Sequence, residues 1–224
     1  MGSIVAKALI YALHGFLGRA TDWEQVVTGA SGFEFVCGEM FRPADFAIPD
    51  WSALSQKKIF VGYSLGGRLG LQFLQHSPHK FDHYVFLSTH PGFALTQAEE
   101  RKKRLQDDQA WAAKISAANW DGFLKEWNSQ SVFAGSAVEP NRSLPDFDLQ
   151  KLRTSLIDNS LSKQPDYRKL ISLCKNKITW VVGQRDSKYC ELAESLDVKF
   201  VKVDSGHRIL LDNPAAVVEI LDNI

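Results

Sequence analysis

Cysteine is scarce in this chain of 224 residues: Cys37, Cys174 and Cys190 are the three present, and none stands in paired spacing with another. That excludes a disulfide framework or a zinc knuckle as the organising device and leaves reduced, buried thiols as the simplest state. Net charge is missing too, because 26 Lys and Arg residues balance 26 Asp and Glu. Without a positive field the chain does not read as a nucleic-acid binder, although a zero sum is compatible with a local charged pocket. No apolar run reaches the length of a membrane span. The segment Ile4–Leu13 is broken by Lys7 and runs into His14-Gly15 without a small-residue cleavage site, so it reads as a buried strand rather than a signal peptide. Ala6 stands where an N-myristoylation signal wants a hydroxyl. These absences predict a cytoplasmic protein with no membrane insertion.

What is present is a 45% hydrophobic composition, enough to bury a sizeable core in one domain. Short apolar runs alternate with helical patterns, and no internal repeat is visible. Strands are predicted at Ala8–Leu13, Phe33–Cys37, Lys58–Val61, Tyr84–Leu87, Ile178–Val182 and Val198–Val203. Runs this short and this apolar suit strands covered on both faces, as in a parallel sheet. Helices are predicted between and after them, at Asp22–Val27, Gly67–Gln75 and Pro214–Ile224, which argues for a doubly wound α/β domain. The stretch from Thr96 to Lys175 breaks the alternation. Thr96-Gln-Ala-Glu99 has the form of a capping box before a helix running to Ala118, Pro140 and Pro145 interrupt the region, and a further helix starts near Asp148. The expected organisation is a core of residues 1–95 and 176–224 with a helical cap inserted at 96–175.

The sharpest local signal is Gly62-Tyr-Ser-Leu-Gly66, which directly follows one predicted strand and opens a helix. A strand that turns abruptly into a helix holds its central residue in a strained conformation, and this places Ser64 at the carboxyl edge of the sheet. The bland alternative is a tight structural turn. The segment also approaches a phosphate-binding loop, but Arg68-Leu69 stands where Lys-Ser/Thr is required. Downstream, Gly183-Gln-Arg-Asp186 and Asp204-Ser-Gly-His207 each follow a predicted strand. In the order Ser64, Asp186, His207, the imidazole can take the serine proton while the carboxylate holds its tautomer. The backbone N–H groups of Phe16 and Leu65 are the candidate oxyanion hole. His76, His79 and His83 are spaced suggestively but fall at the opposite sheet edge, in what reads as a solvated loop, so no metal site is expected and no cofactor is implied. His90 follows a strand on the productive edge and can either touch substrate or line the pocket.

His14-Gly-Phe-Leu-Gly18 with Asp22-Trp23, Gly62-Tyr-Ser-Leu-Gly-Gly-Arg68 and Gly183-Gln-Arg-Asp-Ser-Lys188, closed by Gly206-His207 and Asn213-Pro214, resemble one family over nearly the whole chain. It is the 2-succinyl-6-hydroxy-2,4-cyclohexadiene-1-carboxylate synthases (MenH) of menaquinone biosynthesis, members of the α/β-hydrolase superfamily. The resemblance implies a mostly parallel central sheet with helices on both faces, a helical cap and a shortened N-terminal part. It also implies a lyase that eliminates pyruvate from a small anionic polycarboxylate, with the Ser-His-Asp triad acting as general base.

Such a substrate needs fixed cations, best supplied by planar arginines. Arg68, four residues after Ser64, is the first candidate, with an interdomain ion pair as its alternative. Arg104 matches the family's cap arginine but also sits in a charge-mixed helix turn, Glu99-Glu-Arg-Lys-Lys-Arg104. Tyr63 and Trp127 either wall the site or pack between cap and core. A third substrate arginine has only loose counterparts in Arg142 and Arg153. The segment Cys37–Lys57, with Pro43, Pro49 and Trp51, is abbreviated relative to the family, and the N-terminus is too short for its leading antiparallel strands. The rival function is a small-molecule carboxylesterase or thioesterase that uses Ser64 as a covalent nucleophile.

Overall fold

In the computed structural model, which describes residues 7–39, 48–139 and 142–224, alternate residues of the first strand, β1 (Ala8–Leu13), point into two separate apolar layers. Leu9, Tyr11 and Leu13 join one cluster, while Ala8, Ile10 and Ala12 join the other. This is the period-2 geometry of a strand buried on both sides. The same alternation holds in β3 (Lys57–Tyr63), where Phe60 faces the first layer and Ile59 and Val61 the second.

The chain runs β1, α1 (Glu24–Gly29), β2 (Phe33–Gly38), β3, α2 (Leu65–His76) and β4 (His83–Leu87). There follow α3 (Ala98–Lys114), α4 (Trp120–Asn128), α5 (Leu149–Asp158) and α6 (Arg168–Leu173). The chain returns to the sheet with β5 (Ile178–Gly183), α7 (Ser187–Glu194), β6 (Phe200–Val203), α8 (Ile209–Asp212) and α9 (Pro214–Asp222). The sheet order is β2-β1-β3-β4-β5-β6, and every neighbouring pair is parallel. Parallel pairing puts the carboxyl ends of all these strands on one edge, where ligands of open α/β sheets bind.

One face of the sheet is covered by α2, α6 and α7, and the other by α1, α8 and α9. A third apolar cluster lies off the sheet. Ala112 from α3, Trp120, Phe123, Leu124 and Trp127 from α4, and Leu152 and Leu156 from α5 pack together with Leu17. Among the described residues no strand interrupts the run from β4 to β5. No helix among them is long and apolar enough to cross a membrane.

Several local expectations are corrected. Thr96 does not cap α3: the helix starts at Ala98 with Gln97 at its N-cap position, and the Gln97 side chain instead accepts a hydrogen bond from Ala94 N at 2.9 Å. The helix also stops at Lys114 rather than Ala118, because Ile115 turns extended and is buried. Asp148 does cap the helix expected near it, accepting from Gln150 N and Lys151 N. His83 is not in a solvated loop but opens β4, half-buried, with Nε2 2.9 Å from Thr179 Oγ1. The three cysteines are free but only partly buried. Pro43 and Pro140 lie outside the described residues.

Phe60 sits at the centre of the larger layer, fully buried, with ring contacts to Tyr11, Phe81, Tyr84 and Phe86. Phe60→Ala is expected to cost about 3–5 kcal/mol. In a domain of this size that lowers Tm by about 6–20 °C, to be read from thermal unfolding.

Candidate active site

Ser64 joins β3 to α2 with φ 51° and ψ −107°, a backbone conformation that L side chains rarely adopt. The strain is imposed from the helix side. A Cβ on Gly66 would stand 2.3 Å from Leu13 O and 2.5 Å from His14 O, so only glycine lets the first turn of α2 press against the end of β1. Ser64 N donates to Leu87 O at 2.8 Å, which ties the turn to β4 as well. The Leu65 N–H is the first of α2 and has no acceptor within the helix. Phe16, in the loop after β1, lines the same cavity as Ser64 and Leu65.

Asp186 follows β5 and caps α7, its Oδ1 accepting from Tyr189 N at 3.4 Å. His207 follows β6. The two loops meet backbone to backbone: a Cβ on Gly183 would stand 2.0 Å from Gly206 O. The result is a chain of hydrogen bonds from Asp186 Oδ2 to His207 Nδ1 at 2.6 Å and from His207 Nε2 to Ser64 Oγ at 3.2 Å. Asp186 and His207 are both buried. With the carboxylate on Nδ1, the imidazole keeps a lone pair on Nε2 toward the serine. Three rings hold the imidazole, those of Tyr189 at 4.6 Å and of Tyr63 and Phe133 each at 5.9 Å. Burial pushes the Tyr189 phenol up to about 12, so it stays a neutral wall.

Ser64 and His207 open into a cavity of about 220 Å³ whose lining includes Phe16, Arg68, Arg104, Trp127 and Lys188. Arg68 Nη1 donates to Asn159 O at 2.7 Å. Burial, and then the neighbouring Arg104, lower the Arg68 guanidinium to about 10, still far above neutral pH. Arg104 Nε lies 2.9 Å from each Asp108 oxygen, and that carboxylate is buried while the arginine remains partly exposed. Burial and Arg104 also lower the Lys188 ammonium, against the opposing pull of Asp186. Three cations therefore face one small cavity, and among the described residues the carboxylate in an ion pair with them, Asp108, belongs to Arg104. Such a surplus suits a ligand with several negative charges.

Not every candidate residue reaches this cavity. Tyr63 lines a different cavity, of about 320 Å³, together with Asp22, Arg142 and Arg208. Arg142 is held there by Asp22, with contacts of 2.7 and 2.9 Å, and by Glu139. Arg153 Nε donates to Ile115 O at 2.7 Å. Neither supplies the third cation. Lys188 stands there instead, two residues after Asp186 in the first turn of α7, and the Asp-Ser-Lys string is its signal in the sequence. No group of three or more His, Cys, Asp or Glu able to hold a metal ion occurs among the described residues.

His90 is buried behind the cations rather than in the cavity, and its Nδ1 accepts from Gly92 N at 3.1 Å. Burial, followed by Lys188, Arg68, Arg168 and Arg104, drives the imidazole down to about 2. The folded state thus refuses a proton that the unfolded chain takes up near pH 6.5. Its contribution to stability is full above that pH and is lost as pH falls toward 2, at about 1.4 kcal/mol per pH unit. His90→Asn is expected to lose about 2 kcal/mol less stability than the wild type between pH 6.5 and 5, measured by urea unfolding at each pH.

Comparisons with known proteins bear on the family and the fold. The profile of the alpha/beta hydrolase fold family matches residues 52–164. A 2-succinyl-6-hydroxy-2,4-cyclohexadiene-1-carboxylate synthase of Citrobacter koseri is 30% identical, with 95% of this chain and 91% of that protein covered. Among solved structures, MenH from S. aureus superposes with a TM-score of 0.72 at 16% identity, covering 99% of this chain and 94% of its own. A thermophilic esterase from Thermogutta terrifontis gives 0.66 at 16% identity, with 97% and 89% covered. The last two speak for the fold alone. The match over half the chain and the identity to the Citrobacter protein together show that this chain belongs to the α/β-hydrolase family, among its 2-succinyl-6-hydroxy-2,4-cyclohexadiene-1-carboxylate synthases.

Proposed function

We propose that the protein eliminates pyruvate from 2-succinyl-5-enolpyruvyl-6-hydroxy-3-cyclohexene-1-carboxylate, with Ser64, His207 and Asp186 as the proton-transfer relay. The observation that carries this reading is the ring of Arg68, Arg104 and Lys188 around Ser64. The proposed substrate bears three carboxylates, on the ring, the succinyl arm and the enolpyruvyl group. A neutral ester has no use for three cations.

The chemistry follows from the substrate's bonds. His207 accepts the Ser64 proton at Nε2, and the Ser64 oxygen removes the proton from the ring carbon bearing the succinyl group. Charge moves onto the succinyl ketone oxygen, where the N–H groups of Phe16 and Leu65 are the proposed donors. Donors of this type contribute about 3–4 kcal/mol in acyl-transfer sites. As the ketone reforms, the ring double bonds shift to positions 2 and 4, and the bond from the ring to the enolpyruvyl oxygen breaks. The leaving enolate takes a proton from the His207 imidazolium and becomes pyruvate. Asp186 holds the imidazole in register throughout.

In this reading residues 96–175 act as a cap that carries Arg104 and Trp127, and residues 1–95 and 176–224 form the core that carries the relay. The separate apolar cluster of α3, α4 and α5 supports that division. Tyr63 then acts from behind His207 rather than on the substrate. The reaction belongs in the cytoplasm, since a substrate with three charges does not cross a bilayer unaided.

A coupled pyruvate-release assay on this substrate, beside a panel of short nitrophenyl esters, tests the proposal. Pyruvate release is expected from the wild type and not from Ser64→Ala. Arg68→Gln is expected to lower kcat/KM for pyruvate release by about 10- to 100-fold, the loss of one charge-assisted contact. Rapid ester turnover without pyruvate, unaffected at Arg68, would favour the esterase reading that the Ser64–His207 geometry equally permits.

A further inference from the structure

The residue after His207 is a buried arginine whose guanidinium contacts converge on one distant stretch of chain. Arg208 is 4% exposed. Its Nη2 donates to Asn128 Oδ1 at 2.5 Å, at the end of α4, and its Nη1 to Ala137 O at 3.1 Å. Its Nε lies 2.7 Å from Glu139 Oε2, and its guanidinium carbon stacks 3.9 Å above the Phe133 ring. The Arg208 backbone N–H donates to Ser136 Oγ at 3.1 Å. Asp212 makes a second tie, its two oxygens accepting Gly206 N at 2.7 Å and Ala137 N at 2.6 Å. The segment 128–139 is thus fastened to both sides of His207 in sequence, and Phe133, the residue it presses inward, is in ring contact with His207 and lines the Ser64 cavity.

A guanidinium suits this task because its donors are fixed in one plane while its face is free to stack. A lysine in the same place keeps the charge but loses the fork. Burying the cation is tolerable only while those partners are present, so the contacts form together or not at all.

We propose that Arg208 is a positioning residue: it latches segment 128–139 onto the His207 loop and so holds Phe133 against the imidazole, fixing His207 Nε2 within reach of Ser64. The proposal rests on the Ser64–His207 relay of the previous section but not on which substrate the relay serves. A displaced base lowers the rate of proton transfer more than it lowers binding, because Arg68, Arg104 and Lys188 stand on α2, α3 and α7, outside segment 128–139 and the His207 loop. A misplacement of this kind costs up to about 100-fold.

The test is inactivation of the full-length protein by a fluorophosphonate that labels activated serines, with the rate constant of inactivation and the apparent affinity measured separately. Arg208→Met is expected to lower the rate constant by about 10- to 100-fold with affinity changed less than about 3-fold. Arg208→Lys is expected to fall between Met and wild type. Phe133→Leu leaves the latch in place but thins the wall it presses, so it is expected to show the same loss of rate on a smaller scale. It also serves as the readout should Arg208→Met fail to fold. A folded Arg208→Met that is labelled as fast as wild type overturns the latch, as does an Arg208→Met in which rate and affinity fall together. If Arg208→Met does not fold, an unchanged rate in Phe133→Leu overturns it instead. A wild type that is not labelled at Ser64 overturns the relay itself, and the latch with it.

Discussion

Two backbone approaches, each closer than any side chain would allow, set the geometry on which the site depends. Gly66 brings the first turn of α2 against the carbonyl oxygens of Leu13 and His14, and Gly183 brings the loop after β5 against Gly206. The first forces Ser64 into its positive-φ turn, and the second puts Asp186 beside His207. Neither contact is an attraction of note. They are permissions, paid for elsewhere by the two apolar layers that hold six parallel strands in register. The relay is assembled from the ends of β3, β5 and β6, so its 2.6 and 3.2 Å contacts are only as fixed as the sheet beneath them.

Electrostatics then divides the site into two regions. The imidazole sits beside the Asp186 carboxylate and among the rings of Tyr189, Phe133 and Tyr63. Toward the cavity the site is cationic, and His90 behind it is kept unprotonated by burial first and by those cations second. The balanced composition of the chain conceals this segregation, because Asp and Glu elsewhere on the protein offset the charge of the cavity. A zero sum in composition and a polarised pocket are compatible when the pocket is small.

The strands and the order Ser64, Asp186, His207 were legible in the sequence because each depends on local pattern: apolar runs of strand length, and small residues after each strand. What the sequence did not disclose depends on contacts between distant segments. Arg142 is as plausible a substrate arginine as any by residue type, yet Asp22, 120 positions away, claims it. Tyr63 adjoins Ser64 in sequence but faces a different cavity, because successive residues at the end of a strand point to opposite sides. Thr96-Gln-Ala-Glu99 matched a capping pattern that the fold does not use, since α3 starts at Ala98 and puts Gln97 rather than Thr96 at the N-cap position. Lys188 was visible as a residue and invisible as a cation of the site until α7 was oriented.

The sheet order carries an evolutionary corollary. The relay hangs on strand ends that the helical stretch between β4 and β5 does not interrupt, whereas Arg104 and Trp127 come from that stretch. The part of the cavity lining that comes from that stretch can therefore drift by rewriting one contiguous piece of chain, while Arg68, Lys188 and the Ser64–His207–Asp186 hydrogen-bond chain are inherited intact. The transplant has one compatibility requirement: whatever replaces segment 128–139 must offer a carboxylate, a carbonyl and an aromatic face to the arginine beside His207. A lineage that changes its insertion and keeps Arg208 without those partners is left with an unpaired cation buried next to its base.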